Sequence, residues 1–225
     1  MNPTAATGWT AEPLILEGSI VRLEPLTIEH IAALCELGLD PELWRWTISN
    51  VRTPADMRRY VENALALHAR GTGYPFVTVE RASGRVIGST RYHAIEPAHR
   101  RLEIGYTFVA RAWQRTAVNS ETKYLMLRHA FESLGMHRVE FKTDVLNERS
   151  RQALLGIGAT EEGVLRAHAV TESGRIRDTI YFSVLAPEWP SVKEALESRL
   201  ARIAQAGRNS PASMSSTSTR PSSMT

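Results

Sequence analysis

Hydrophobic and polar positions change period several times along this chain, and each change marks an element. Residues 19–23 read as a first strand. Thr27 stands where it can cap a helix running to about Leu39. Thr53-Pro54 is a stronger start signal: a capping hydroxyl, then the residue whose missing N–H costs nothing in a first turn. Behind it Met57, Tyr60, Val61, Ala64, Leu65 and His68 recur with the 3.6-residue period, and Gly71 ends the helix. Strands follow at Tyr74–Glu80 and 85–94, joined by the turn Arg81-Ala82-Ser83-Gly84, and a third covers Arg101–Val109. A helix from about Thr116 carries the stripe Leu127, Ala130, Phe131, Leu134 and stops at Gly135. Arg138–Asp144 alternates as a strand. Glu148–Leu155 is a short helix closed by Gly156 and Gly158. Residues 162–170 and 177–184 form a last hairpin around Glu172-Ser173-Gly174, and Trp189-Pro190 opens a helix to about Ala206. The order β-α-α-β-β-β-α-β-α-β-β-α mixes hairpins with crossover helices. It predicts an α/β (α+β) fold on a mixed sheet.

Composition narrows the class. Of 225 residues, 43% are apolar and 23% charged, the balance of a soluble globular chain. One domain is expected over residues 13–206, after a flexible start at 1–12. From Gly207 to Thr225, 12 of 19 residues are Ser, Thr or Pro, which predicts a disordered tail. The net charge of +3 comes from 27 basic and 24 acidic residues. Arg208 and Arg220 lie in the tail, which has no acid, so the body holds 25 against 24. No basic stripe stands out, which argues against nucleic acid as a partner. No apolar run approaches the roughly 18 residues of a membrane span, and the first residues lack the pattern of a secretory signal. The lone Cys35 excludes an internal disulfide, and no ligand spacing suggests a metal. These features predict a cytoplasmic protein. Lysine is rare: 24 of the basic residues are Arg, and Lys occurs only at 123, 142 and 193.

Two segments carry candidate chemistry. The strand Arg101–Val109 runs through a loop into the helix at Gln114-Arg115-Thr116-Ala117-Val118-Asn119. A helix start presents unpaired N–H groups and partial positive charge, a ready seat for phosphate, here flanked by Arg111 and Arg115. The second segment is Asn147-Glu148-Arg149-Ser150 at another helix start, followed by Gly158-Ala159. Read singly, Thr116, Asn147 and Ser150 are ordinary helix-start residues.

Together, in this order, these segments resemble the GNAT superfamily of acyl-CoA-dependent N-acetyltransferases, and its RimJ/RimL-type branch most. The likeness spans roughly residues 14–186. Gln114 to Asn119 matches the family's Gln/Arg-x-x-Gly-x-Gly/Ala phosphate loop, with Ala117 and Asn119 in place of the small positions. Leu102-Glu103-Ile104-Gly105-Tyr106 looks like the branch's Glu-Ile-Gly-Tyr strand. Asn147-x-x-Ser150 followed by Gly158 matches its Asn-x-x-Ser…Gly-Phe region, and Glu162-Gly163-x-Leu165-Arg166 the strand after it.

The resemblance implies a mostly antiparallel twisted sheet flanked by helices, with strands Arg101–Val109 and Arg138–Asp144 splayed apart. Acetyl-CoA is the implied acyl donor. Its pantetheine would bond the strand edge near Phe108 and Val109. Its phosphates would meet Arg111, Gln114, Arg115, Thr116 and the amides of Ala117, Val118 and Asn119, with Asn147 and Ser150 also touching the donor. Ser150 would also serve the leaving sulfur, since Leu154 stands where many members have a Tyr acid. Glu103 is the leading base and His168 the runner-up, because Ala169 replaces the Glu of RimL-like enzymes. By alternation Glu103 should share a face with Gly105 and Thr107, opposite Leu102, Ile104, Tyr106 and Phe108. Trp46, Arg91, Tyr92 and Tyr181 are candidate acceptor contacts. Trp44 reads as packing, Asp178 as a satisfied structural carboxylate, and His93 and His99 as surface residues. The implied acceptor is a peptide N-terminus or a small amine. A homodimer through an edge strand or the final helix is a matter of family analogy. The competing reading is a non-catalytic acyl-CoA-binding module with the same fold.

Overall fold

A computed structural model describes residues 13–208; the expected loose start and the tail from residue 209 lie outside the described residues. Eight strands form one sheet in the order β1-β2-β3-β4-β5-β6-β8-β7. They are β1 (Leu16–Glu17), β2 (Val21–Pro25), β3 (Tyr74–Glu80), β4 (Val86–Glu96), β5 (Arg101–Val109), β6 (Arg138–Asp144), β7 (Thr160–Val170) and β8 (Ile176–Leu185). Every neighbouring pair is antiparallel except β5 and β6. The mixed, mostly antiparallel sheet is therefore as expected.

Helices cover both faces. On one lie α1 (Ile31–Gly38), α2 (Pro41–Trp44) and α3 (Pro54–Ala69). Thr53 and Asp56 form a capping box at the start of α3, with Pro54 in its first turn. Its stripe Met57, Tyr60, Val61 and Ala64 packs with Leu34, Trp44 and Phe108. On the other face lie α4 (Val118–Arg128), α5 (Glu148–Leu155) and α6 (Trp189–Arg208). There Leu102, Ile104, Phe141, Ile180 and Phe182 pack against Leu125, Met126 and Leu196. α6 runs two residues past its expected end. The short β1 and α2 had no expectation in the sequence pattern.

The start of α4 is tied to the β1–β2 turn by one side chain. Glu121 is buried, and its carboxylate accepts hydrogen bonds from the N–H groups of Ser19 (2.9 Å), Ile20 (2.7 Å) and Val21 (2.7 Å). It also accepts from Ser19 Oγ at 2.7 Å. Gly18 is required beside it, because a Cβ there would lie 2.5 Å from the carboxylate.

Candidate active site

The site begins with a failure of strand alternation. Ser89 pairs with Phe108 and Arg91 with Gly105, so Thr90 alone faces both Tyr106 and Thr107. This is a β-bulge, and Tyr106 takes a left-handed φ of 49° to make it. The bulge reverses which face each later residue serves. Leu102 and Ile104 face α4, as expected, and Glu103 and Gly105 face away. Beyond the bulge, Tyr106 and Phe108 join the α1–α3 core instead, with Phe108 5.0 Å from Trp44 between ring centres. Thr107 turns toward α4, where its Oγ1 accepts a hydrogen bond from Lys123 Nζ at 2.8 Å. The faces expected for Tyr106, Thr107 and Phe108 are thus corrected.

The second feature is a fork. β5 and β6 pair over three rungs only, ending at Glu103 opposite Glu140. Beyond that rung β6 pairs with β8 alone and β5 with β4 alone, so the facing edges part. A cavity of 520 Å³ fills the fork. Residues from both faces of the sheet line it. Lys123, Asn119, Ser150 and Phe141 come from the α4 side; Glu103, His93, Lys142 and Arg177 come from the other. A smaller hollow of 340 Å³ adjoins it, sharing Glu42, Trp46, Thr47 and Ile48.

At the α4 end, Gln114, Arg115, Thr116 and Asn119 line the cavity together with Arg149 and Arg199. Gln114 locks the loop: its Nε2 donates to Val109 O at 2.8 Å and its Oε1 accepts from Arg149 Nη1 at 2.7 Å. Thr116 Oγ1 donates to Trp113 O at 2.7 Å. Ala117 and Val118 are buried behind the first turn and do not line the cavity. Arg111 also stays outside it, paired with Asp40. Asn147 caps α5 by accepting from Ser150 N at 3.1 Å, and both residues line the wall. Phe108 and Val109 line it along the open β5 edge.

On the opposite face, Glu103 is buried and paired with Lys142 Nζ at 2.9 Å. Burial opposes the Lys142 charge, but Glu103, Tyr181 and Glu140 together hold its pKa above the ordinary lysine value. Lys142 lies 4.8 Å from the centre of the Tyr181 ring, and Tyr181 Oη is 3.4 Å from His168 Nε2. His168 is exposed on the cavity rim, whereas Tyr181 stands behind it. His93 is half-buried and pairs directly with Glu103, so its expected surface position is corrected. Its Nδ1 is buried without a partner, and burial pushes its pKa down. Trp46 lines the cavity, with Arg45 and Arg175 over its ring. Two expected acceptor contacts are elsewhere. Tyr92 is wholly buried in the α4-side core and donates to Met126 O at 2.7 Å. Arg91 is buried between the rings of Tyr60 (4.9 Å) and Tyr106 (4.0 Å). Asp178 is structural, as expected: it accepts from Ala167 N at 2.6 Å across a bulge in β7.

Lys123, Lys142, Thr107 and Arg177 had no place in the sequence reading of the site. Lys123 is fully enclosed, and burial lowers its pKa to about 7. One sequence signal did point here. In a chain that otherwise uses arginine, two of the three lysines line this cavity. The third, Lys193, pairs with Glu132 away from the cavity.

Comparison with known proteins agrees with this geometry. Residues 21–160 match the family model described as an acetyltransferase (GNAT) domain. The chain is 28% identical over 174 residues to the uncharacterized N-acetyltransferase YoaA of Bacillus subtilis (strain 168), covering 77% of this chain and 97% of that protein. A T. thermophilus protein of known structure, assigned as an acetyltransferase, is 39% identical with a TM-score of 0.77. That match covers 84% of this chain and 98% of the other. The fold alone is shared with RimL, a ribosomal L7/L12 α-N-protein acetyltransferase, at 19% identity and a TM-score of 0.69. Here 78% of this chain and 96% of the RimL chain are covered. The chain belongs to the GNAT acetyltransferases and is an acetyl-CoA-dependent acyltransferase. Among the described residues, no helix is long and apolar enough to cross a membrane.

Proposed function

We propose that this protein moves the acetyl group of acetyl-CoA to a primary amine, a peptide N-terminus or a small molecule, by direct attack on the thioester. The observation that carries this reading is the fork between β5 and β6, with Ser150 on one side and Glu103 on the other. The donor fits the α4 side. Free N–H groups of the α4 first turn, with Arg115 and Arg149, suit its phosphates, and the unpaired β5 edge suits its pantetheine as an added strand. The amine enters on the Glu103 face. Glu103, directly or through a water, takes the amine proton, and the Lys142 ion pair fixes its position. Ser150 Oγ donates to the departing sulfur. A thiol pKa near about 8.5 makes that thiolate a fair leaving group, so a weak acid suffices. Glu103 is preferred over His168 as base because it is buried in the wall, while His168 sits exposed at the rim. The cytoplasm, where acetyl-CoA is made and a lone cysteine stays reduced, is the proposed setting.

Thiol release from acetyl-CoA, followed with a panel of amines and short peptides, tests this. Amine-dependent thiol release with an acetylated product is expected. Donor binding without turnover on any amine would overturn it.

A further inference from the structure

The acceptor side of the cavity holds a charge that the proposed reaction leaves unused. Arg177, the second residue of β8, is only 5% exposed and lines the cavity. Its Nε is sealed from solvent and has no partner. Among the described residues its guanidinium makes no hydrogen bond and no ion pair. The carboxylates whose fields reach it are Asp144 and Glu103, and both are committed elsewhere. Asp144 pairs with Arg175 and accepts from Leu146 N at 2.9 Å; Glu103 pairs with Lys142 at 2.9 Å. Arg91, the other buried arginine nearby, differs in having an aromatic ring on each side.

A buried guanidinium has five donors and is expensive to leave unpaired, so its persistence calls for a group that completes it. The donor's phosphates do not suit that role. Ile180, Phe182 and Val184 of β8 pack into the α4-side core, so by alternation Arg177 points to the opposite face, with Glu103. The cations at the start of α4 and α5 lie on the other side of the sheet.

We infer that the acceptor brings a carboxylate with its amine, and that Arg177 holds this carboxylate while Glu103 meets the amine. Arginine's planar fork matches a carboxylate through two parallel hydrogen bonds. The inference rests on the amine acetylation proposed above. It narrows the acceptor to amino acids, or to peptides with an acidic side chain at or beside the N-terminus.

The test compares matched acceptors on the full-length protein. Free amino acids are set against their amides, and peptides starting with Asp or Glu against those starting with Asn or Gln. The first pair reads an α-carboxylate, the second a side-chain carboxylate. In one of the two pairs the carboxylate acceptor should be favoured roughly 100-fold in kcat/KM. Arg177→Met should abolish that preference through KM, and Arg177→Lys should restore part of it. A preference near one in both pairs, or one that survives Arg177→Met, would overturn the inference. Two measurements stand apart from turnover. Calorimetry with succinate, a carboxylate without an amine, should show binding that Arg177→Met loses. The thermal midpoint of Arg177→Met should equal or exceed that of the wild type, because the substitution removes an uncompensated buried charge. If no amine is acetylated, the succinate result still decides: loss of binding in Arg177→Met upholds the carboxylate site while the amine reading falls. Equal succinate binding by both proteins overturns the site itself.

Discussion

Lys142 Nζ lies 2.9 Å from Glu103 Oε2, joining β6 to β5 at the point where their backbone pairing stops. The ion pair holds the fork's base in one geometry and keeps the carboxylate at the cavity wall. Glu103→Gln should lower kcat about 100-fold while leaving the fold intact. The acidic limb of the kcat/KM profile should vanish with it, since only the carboxylate loses its base function on protonation. Steady-state kinetics between pH 5.5 and pH 9 would check both, and an unchanged profile would move the base to His168 or His93.

Gly105 explains why the carboxylate fits there. A Cβ at this position would lie 2.7 Å from Glu103 Oε1, and no backbone atom is among its close neighbours. Gly105→Ala should therefore push the carboxylate aside rather than disrupt the strand. A fall in kcat of about tenfold or more is expected, with a thermal midpoint lowered by less than about 3 °C. Paired calorimetry and kinetics decide it. A large loss of stability would mean that the strand itself needs the glycine.

Lys123 gives stability a pH dependence. Its pKa falls from 10.5 to about 7 on folding because burial disfavours the ammonium form. Between those values the unfolded chain binds a proton that the folded chain has released. Stability therefore rises as pH increases across this window, by at most about 1.4 kcal/mol per unit, and levels off above it. Lys123→Met should flatten this rise and gain most, relative to the wild type, below pH 7. Urea midpoints of both proteins at pH 6, pH 8 and pH 10 measure the difference. Parallel curves would contradict it.

Glu121 is a structural carboxylate, outside the catalytic machinery. Glu121→Ala strands three backbone N–H groups in the β1–β2 turn. A loss of about 3 kcal/mol or more in unfolding free energy is expected. Denaturant titration would show it, and a loss below about 1 kcal/mol would mean that water replaces the carboxylate.

The sequence was most readable where one local signal suffices. Thr53, Pro54 and Asp56 announce the start of α3, and alternation gives Arg101–Val109 and Arg138–Asp144 with the bounds observed. It was least readable where a partner strand decides. Nothing local marks Tyr106 for a left-handed φ, since tyrosine rarely adopts one, yet that bulge sends Thr107 to Lys123 and Phe108 to Trp44. In the same way, His93 is a surface residue by composition and a cavity residue only because β4 sets it opposite Glu103. Tyr92, one position earlier, points into the α4-side core for the same reason. The bulge in β7 breaks the alternation around His168. Lys123 and Lys142 were visible only as rarities, without a hint of their place.

The central claim is that the acyl donor lies against the open edge of β5 and over the start of α4. Amide hydrogen exchange with and without coenzyme A tests it most directly. The account predicts slower exchange at residues 104–109 and 118–120 when coenzyme A is bound, with the middle of α3 unchanged as an internal reference. Coenzyme A binding that leaves exchange along β5 unaltered would contradict it.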